Sequence, residues 1–396
     1  MLGKVLVLSA SAGAGHIRAA DAIEKALHAR GLASDVQNVD VLKYTNQVFR
    51  HLYSRAYLDL VNKAPEVLGW LYDRLDTPGK NENIRLAFDR FNTGPFVKLL
   101  DTYRPDVAIC THFLPSEIIG WLKRKGRVDI VNAVIVTDFD VHAMWLNRGS
   151  DHYFVALEET REHLVALGVP GEAVTISGIP IDPVFSERKD PRSMRRKHGL
   201  EEGPFTILVS AGGFGVGPVE HIIEALGRLP SRAQAVVVCG RNEELKKKLA
   251  AAVRRLGPAN VTFHLVGFTT EMDELMTAAD LFVGKPGGLT TSESLAKGLP
   301  MVVINPIPGQ EERNSDHLLE EGIAIRCNNL PTLPYKIDRL IRDPGKLHLM
   351  RANALALARP HAAFTVVEAL DALNAGRPSS APSAATPKRR RRKLVL

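Results

Sequence analysis

Leu281-Phe282-Val283-Gly284-Lys285-Pro286-Gly287-Gly288-Leu289-Thr290-Thr291-Ser292-Glu293 runs from a short apolar strand through a glycine turn into a helix start that carries hydroxyls and one carboxylate. A nucleoside diphosphate needs such a sequence. Glycines admit backbone N–H groups to phosphate oxygens, and a helix N-terminus adds partial positive charge. Glu293, one turn further on, can accept hydrogen bonds from two ribose hydroxyls, and Lys285 can add charge. The same string also occurs as packing punctuation between a strand and a helix, so alone it leaves both readings open.

Outward from this loop the chain repeats strand, loop and helix. Strand-like runs, most of them largely apolar, at 5–9, 36–41, 107–111, 131–137, 153–156 and 174–177 predict one parallel sheet covered on both faces. A second set at 206–210, 235–239, 261–266, 281–283 and 301–304 predicts another. The fold class is therefore α/β with two Rossmann-like domains. The first spans 1–182 with an insert at 43–104, a charged, proline-containing linker covers 183–204, and the second domain spans 205–376.

Three more segments sit where strands should end. Gly13-Ala14-Gly15-His16 follows the first strand and places an imidazole at a helix entrance, as a capping residue or as a base. Gly212-Gly213-Phe214-Gly215-Val216-Gly217 follows the first strand of the second set, where Gly213 can turn backbone donors towards a phosphate. Pro306-Ile307-Pro308-Gly309-Gln310-Glu311 is a rigid turn presenting an amide beside a carboxylate, a pairing suited to sugar hydroxyls.

Composition narrows the class. The 396 residues are 45% hydrophobic, enough for two cores, and no apolar run reaches membrane-spanning length. Residues 1–9 lack the pattern of a secretory signal, so the chain reads as cytoplasmic. Cys110, Cys239 and Cys327 lie far apart in or beside apolar runs and read as buried thiols. Of 51 Lys and Arg against 44 Asp and Glu, seven basic residues fall in 377–396, a Pro/Ser/Ala-rich tail ending in a basic cluster, so the remainder is neutral. Such a tail reads as disordered and can bind anionic lipid, bind nucleic acid or simply solubilise.

Taken in order, Ser9 through His16, Thr137-Asp138-Phe139, Gly178-Ile179-Pro180-Ile181, and the run from Gly284 through Glu293 to Pro308-Gly309-Gln310-Glu311 and Asn314 resemble the processive diacylglycerol glycosyltransferases and plant-type monogalactosyldiacylglycerol synthases. The resemblance covers roughly residues 3–375. It departs in the long basic tail and in Ser11-Ala12-Gly13-Ala14-Gly15, where the family has a denser glycine run.

That resemblance implies a GT-B fold, with two Rossmann-like domains across a cleft, and an inverting transfer of glucose or galactose from a UDP-sugar to diacylglycerol or a glycosyl-diacylglycerol. It implies His16 as catalytic base and Asp138 as a cleft residue supporting it or the acceptor, with Gly15 on the acceptor side; His112, which ends a strand at the same sheet edge, reads as acceptor-side. The donor would be held by Gly213, Lys285, Gly287, Gly288, Thr290, Thr291, Glu293, Gln310 and Glu311. No metal or other cofactor is expected. Asp138 and Asp140 mimic an Asp-x-Asp metal motif but follow a central strand. The insert spaces Phe49, Leu52, Tyr53, Ala56, Tyr57 and Leu60 helically, with Arg50, Arg55, Lys63 and Arg74 on other faces. It reads as a helix pair packed on the sheet or, in light of the family, as a lip at the membrane. The expected partners are therefore a UDP-sugar, diacylglycerol and an anionic surface at the inner face of the cell membrane, with no specific nucleic acid. Two alternatives stand beside this reading: a related enzyme using another lipid acceptor or epimerising a UDP-sugar, and a non-catalytic binder of nucleotide-sugar or nucleic acid.

Overall fold

The computed structural model describes residues 1–11, 13–45, 70, 74, 76, 94–210 and 219–375. In the first lobe β1 (Lys4–Ser9), α1 (Ala14–Arg30), β2 (Asp35–Asp40), α2 (Gly94–Tyr103), β3 (Val107–Cys110), α3 (Phe113–Arg124) and β4 (Val131–Ile135) follow one another. β5 (His152–Val155), α4 (Glu158–Ala166) and β6 (Val174–Ile176) complete it, and α5 (Pro191–Lys197) lies in the link. The second lobe holds β7 (Phe205–Ser210), α6 (Val219–Leu226), β8 (Ala233–Val238), α7 (Glu243–Leu256), β9 (Val261–Val266) and α8 (Met272–Ala278). It continues with β10 (Leu281–Gly284), α9 (Gly288–Ala296), β11 (Met301–Ile304), α10 (Gln310–Glu320) and β12 (Ala324–Cys327). Three helices end the described chain: α11 (Leu333–Ile341), α12 (Pro344–Leu357) and α13 (Ala362–Ala375).

Each sheet is parallel, six-stranded and reverses direction once. The first runs β2-β1-β3-β4-β5-β6, so its reversal lies between β1 and β3. The second runs β12-β11-β10-β7-β8-β9, reversing between β10 and β7. A crevice opens at the carboxyl ends of the strands at such a point, because the crossover helices leave to opposite faces. His16 follows β1, Thr111 and His112 follow β3, and the Pro286-Gly287-Gly288 turn follows β10. Topology alone thus sets the base candidate and the phosphate-loop candidate at the two crevices.

One apolar cluster joins the lobes. Ala19, Phe139, Ile179, Ile181 and Phe185 of the first lobe and its exit pack in the same core as Leu208, Phe282, Leu289 and Leu295 of the second. Helix α13 lies within the span expected for the second domain, yet Ala363, Val366, Val367 and Leu370 are buried with Val5, Ile23 and Leu27 of the first. Arg30 of α1 pairs with Glu368 of α13 at 2.8 Å. Among the described residues no helix is long and apolar enough to cross a membrane.

Candidate functional site

The first turn of α1 starts at a bare backbone N-cap, Gly13, and brings His16 over the end of β3. Its Nδ1 lies 2.8 Å from the Thr111 carbonyl and 3.0 Å from Thr137 Oγ1. A carbonyl only accepts, so Nδ1 carries the proton and Nε2 presents a lone pair. Burial pushes the His16 pKa down to about 4, against the opposing pull of the Thr111 carbonyl. The imidazole is therefore neutral at pH 7 and its free nitrogen can accept a proton.

An aromatic wall closes one side. The His112 ring meets His16 edge-on with centroids 4.7 Å apart, and Trp145 lies 6.3 Å from His16. Phe113 packs 4.2 Å from His112 and 6.0 Å from Trp145. His112 caps α3 by accepting from Leu114 N at 3.1 Å, which fixes its own N–H on Nε2. Burial, then the neighbouring His16, holds its pKa well below the ordinary histidine value.

The donor-loop candidate lies directly across. A Cβ built on Gly288 would sit 2.1 Å from the Thr137 carbonyl oxygen, so only glycine permits the two loops to meet. Leu289 reaches Gly15: a Cβ built on that glycine would lie 3.9 Å from Leu289 Cδ1. Glu311 stands beside Gly287, its Oε1 3.8 Å from where a Cβ would project, while Oε2 accepts from Ile307 N at 2.7 Å. Burial raises the Glu311 pKa, opposed by that bond and by Lys285. Thr290 is half-buried; the Thr291 hydroxyl is fully buried without a hydrogen-bond partner.

Glu293 is 1% exposed. One oxygen pairs with Arg18 of α1, from the opposite lobe, and the other, Oε2, is buried without a partner. Burial pushes its pKa up to about 7, with Arg18 pulling it down and Asp182 and Asp273 pushing it up. A buried, half-satisfied carboxylate beside a glycine turn suits a ligand that brings hydroxyl donors.

Asp138 is held by the second lobe. Its carboxylate accepts from Gln310 Nε2 at 2.5 Å and from Asn314 Nδ2 at 3.3 Å. Asn314 also donates to the Pro286 carbonyl at 3.1 Å and accepts from Phe139 N at 2.9 Å. Arg313 bonds Asp140 and Asp76 at 2.8 Å each, and His317 stacks on Phe139 with centroids 5.5 Å apart. Positions 310, 313, 314 and 317 lie on one face of α10, so a single helix face is read by Asp138, Phe139 and Asp140. Burial pushes the Asp138 pKa up to about 6, against the bonds from Gln310 and Asn314.

Residues 16–181 match the family model for monogalactosyldiacylglycerol (MGDG) synthase, and residues 190–356 match that for group 1 glycosyl transferases. The chain is 30% identical over 380 residues to the processive diacylglycerol beta-glucosyltransferase of Bacillus cereus, covering 96% of both chains. The enzyme of the same name from Bacillus mycoides matches to the same extent. The chain belongs to the diacylglycerol glycosyltransferase family. It is therefore an enzyme, a hexosyltransferase of the diacylglycerol glycosyltransferase type.

The fold of this glycosyltransferase recurs in solved structures. Anabaena HepE in complex with UDP superposes with a TM-score of 0.56 at 16% identity, covering 95% of this chain and 98% of that one. Acinetobacter baumannii MurG gives 0.57 at 16% over 94% and 100% of the two chains. The S. aureus MnaA–UDP structure gives 0.61 at 13% over 94% and 97%. The two facing parallel sheets are the GT-B arrangement.

Of the residues expected from the sequence of this glycosyltransferase, His16, His112, Gly15, Gly287, Gly288 and Glu311 gather around the meeting point of the lobes. Asp138 joins them through Gln310 and Asn314; no described bond runs from it to His16. Gly213 lies outside the described residues, as do most of the insert and the whole basic tail. Sequence reading does not find Arg18, Arg313 or Trp145. The i+2 spacing of Arg18 from His16 is visible, but nothing in one sequence says that it meets Glu293. Asp138 and Asp140 are engaged by second-lobe side chains. The described carboxylate and imidazole cluster His198, Glu271 and Glu274 already seats the Lys197 ammonium at 2.8 and 2.6 Å from the two carboxylates.

Proposed function

We propose that this enzyme moves a hexose from a UDP-sugar to diacylglycerol, or to a glycosyl-diacylglycerol, with inversion at the anomeric carbon. The supporting observation is the neutral His16 imidazole, its Nε2 free, bonded through Nδ1 to the Thr137 side chain whose own carbonyl touches Gly288 of the donor loop. His16 takes the proton of the acceptor hydroxyl as that oxygen attacks the sugar and the bond to UDP breaks. A positioned base of this kind is worth about 10²–10⁴ in rate. The Gly287-Gly288 turn, the N-terminus of α9 and Lys285 face the charge that develops on the leaving diphosphate. Thr290 and Thr291 belong to that helix start. Glu293 takes the ribose hydroxyls, and Gln310 and Glu311 take the sugar. Gly213, expected to add backbone donors, belongs to this donor set on sequence alone.

The acceptor enters past His112, Phe113 and Trp145, an apolar wall fitted to a glycerolipid rather than a free sugar. Residues 1–182 carry this side, the 183–204 segment links the lobes, and 205–376 carries the donor side except for α13. Glucose, the sugar in the relatives' names, is the first donor to test, and galactose the second. The acceptor stays in a bilayer, so the enzyme works at a membrane surface, in our reading the inner face of the cell membrane. Trp70 supports this: it is 58% exposed, with the Arg74 guanidinium 5.0 Å above its ring, a pairing suited to a lipid–water interface. The basic cluster in 377–396 adds about 1 kcal/mol of attraction per basic residue near anionic lipid.

Incubation with labelled UDP-glucose or UDP-galactose and diacylglycerol liposomes tests the proposal. Label should appear in the organic phase as a glycosyl-diacylglycerol; its absence with both donors while another lipid becomes labelled would replace diacylglycerol as the acceptor.

A further inference from the structure

Arg18 and His16 share the first turns of α1, two residues apart, yet Arg18 reaches out of its own lobe to Glu293 on α9. The pair is uneven. The Arg18 side chain is 44% exposed and the Glu293 side chain 2%. An exposed ion pair would contribute little, but removing the cation from a buried carboxylate leaves that group uncompensated. No other described cation bonds Glu293. The acids facing it are already paired elsewhere: Asp182 with Lys25 of α1, and Asp273 with Lys189 at 2.6 Å.

We propose that Arg18 is a positioning residue of the donor site, fixing and charge-balancing the Glu293 carboxylate across the lobe boundary so that the group for the nucleotide's ribose is complete only when both lobes are together. This inference rests on the reading of Glu293 given above. Two consequences follow from the geometry. Glu293 keeps its second oxygen, Oε2, buried and without a protein partner, because Arg18 occupies only the first. The helix that carries the base is also the helix that completes the donor site, so seating the nucleotide and aligning His16 over it become one event. Burial already raises the Glu293 pKa to about 7, and Arg18 is the largest influence lowering it. Removing Arg18 therefore shifts the carboxyl further towards its neutral form, a poorer acceptor.

UDP binding by calorimetry tests this independently of transfer, using the full chain, Arg18→Gln, Arg18→Lys, Glu293→Gln and the Arg18→Gln/Glu293→Gln double variant. Arg18→Gln should weaken UDP binding about tenfold at pH 7. The loss should shrink as pH rises and the carboxyl ionises without help from Arg18. Arg18→Lys should restore most of the affinity. In the Glu293→Gln background the Arg18 substitution should add less than about twofold, because the pair is already gone. Wild-type affinity in Arg18→Gln at every pH, or an equal loss with and without Glu293, would overturn the inference while leaving the donor-site reading intact. Failure of the wild-type chain to bind UDP would remove that reading and this inference with it.

Discussion

Gly288 and Thr137 touch across the two lobes: a Cβ on the glycine would stand 2.1 Å from the threonine's carbonyl oxygen. The Thr137 hydroxyl lies 3.0 Å from His16 Nδ1. One residue therefore separates the proposed base from the proposed phosphate loop. The obstacle at Gly288 is backbone, which cannot swing aside as a flexible side chain could. Gly288→Ala should push the lobes apart, cost about 1–3 kcal/mol of stability and lower transfer at least tenfold, read by thermal melting and by initial rates. Full activity with an unchanged melt would show that the lobes need not meet here.

Glu293→Ala removes the carboxylate proposed for the ribose. The UDP Kd should rise by about 10- to 100-fold, matching about 1.5–3 kcal/mol for bonds to a charged group. Calorimetry with UDP alone reads this, and an unchanged Kd would move the ribose elsewhere.

The pH dependence divides by group. Burial pushes the Glu293 pKa up to about 7; with the donor bound by its carboxylate form as proposed, kcat/KM for the donor should fall as pH drops through about 7. His16 stays neutral until about pH 4, because burial opposes its protonation. In Asp138→Asn, where the carboxyl that burial raises to about 6 no longer titrates, kcat at saturating donor should therefore not fall with a midpoint near 6.5, the ordinary histidine value. A pH–rate series from 5 to 9 separates the two limbs, and a kcat midpoint near 6.5 in that variant would assign His16 an exposed, ordinary imidazole.

Asp138→Asn keeps the shape but weakens the hold on Gln310 and Asn314. With the proposed sugar site displaced and the proposed base untouched, the loss should fall on kcat for transfer, about tenfold, while UDP affinity changes less than about twofold. A collapse of UDP affinity would place Asp138 nearer the nucleotide.

Membrane attachment should have two separable parts. Deleting 377–396 should reduce sedimentation with anionic liposomes at low salt and make little difference at high salt. Trp70→Ala should reduce it at both, since apolar insertion is not screened by salt. Binding by both variants equal to that of the wild type would remove Trp70 and the basic tail as the proposed anchors.

Much of the fold is legible because most buried parallel strands are written as largely apolar runs, and eleven of the twelve described strands stand where strand-like runs predict. β12 escapes that reading because Arg326 interrupts it and only four residues take part. His16, Gly288 and Glu293 are legible as candidates because each lies in a loop or first helix turn after a strand, the place where ligands of such sheets bind. Arg18 and Trp145 are not, since their partners are set by how two lobes meet. The sequence points to Asp138 as a cleft residue supporting His16 or the acceptor, and the structure adds its bonds to Gln310 and Asn314, which alternation of strand and helix cannot supply because it does not say which lobe a loop will face. For the same reason chain order groups α13 with the second domain, although its apolar face fits α1.

The most direct measurement is lipid glycosylation by His16→Ala, with UDP affinity determined on the same preparation. Transfer should fall by about 10²–10⁴ with a Kd for UDP within about twofold of wild type. Transfer within about threefold of wild type, with UDP still bound, would contradict the base assigned here.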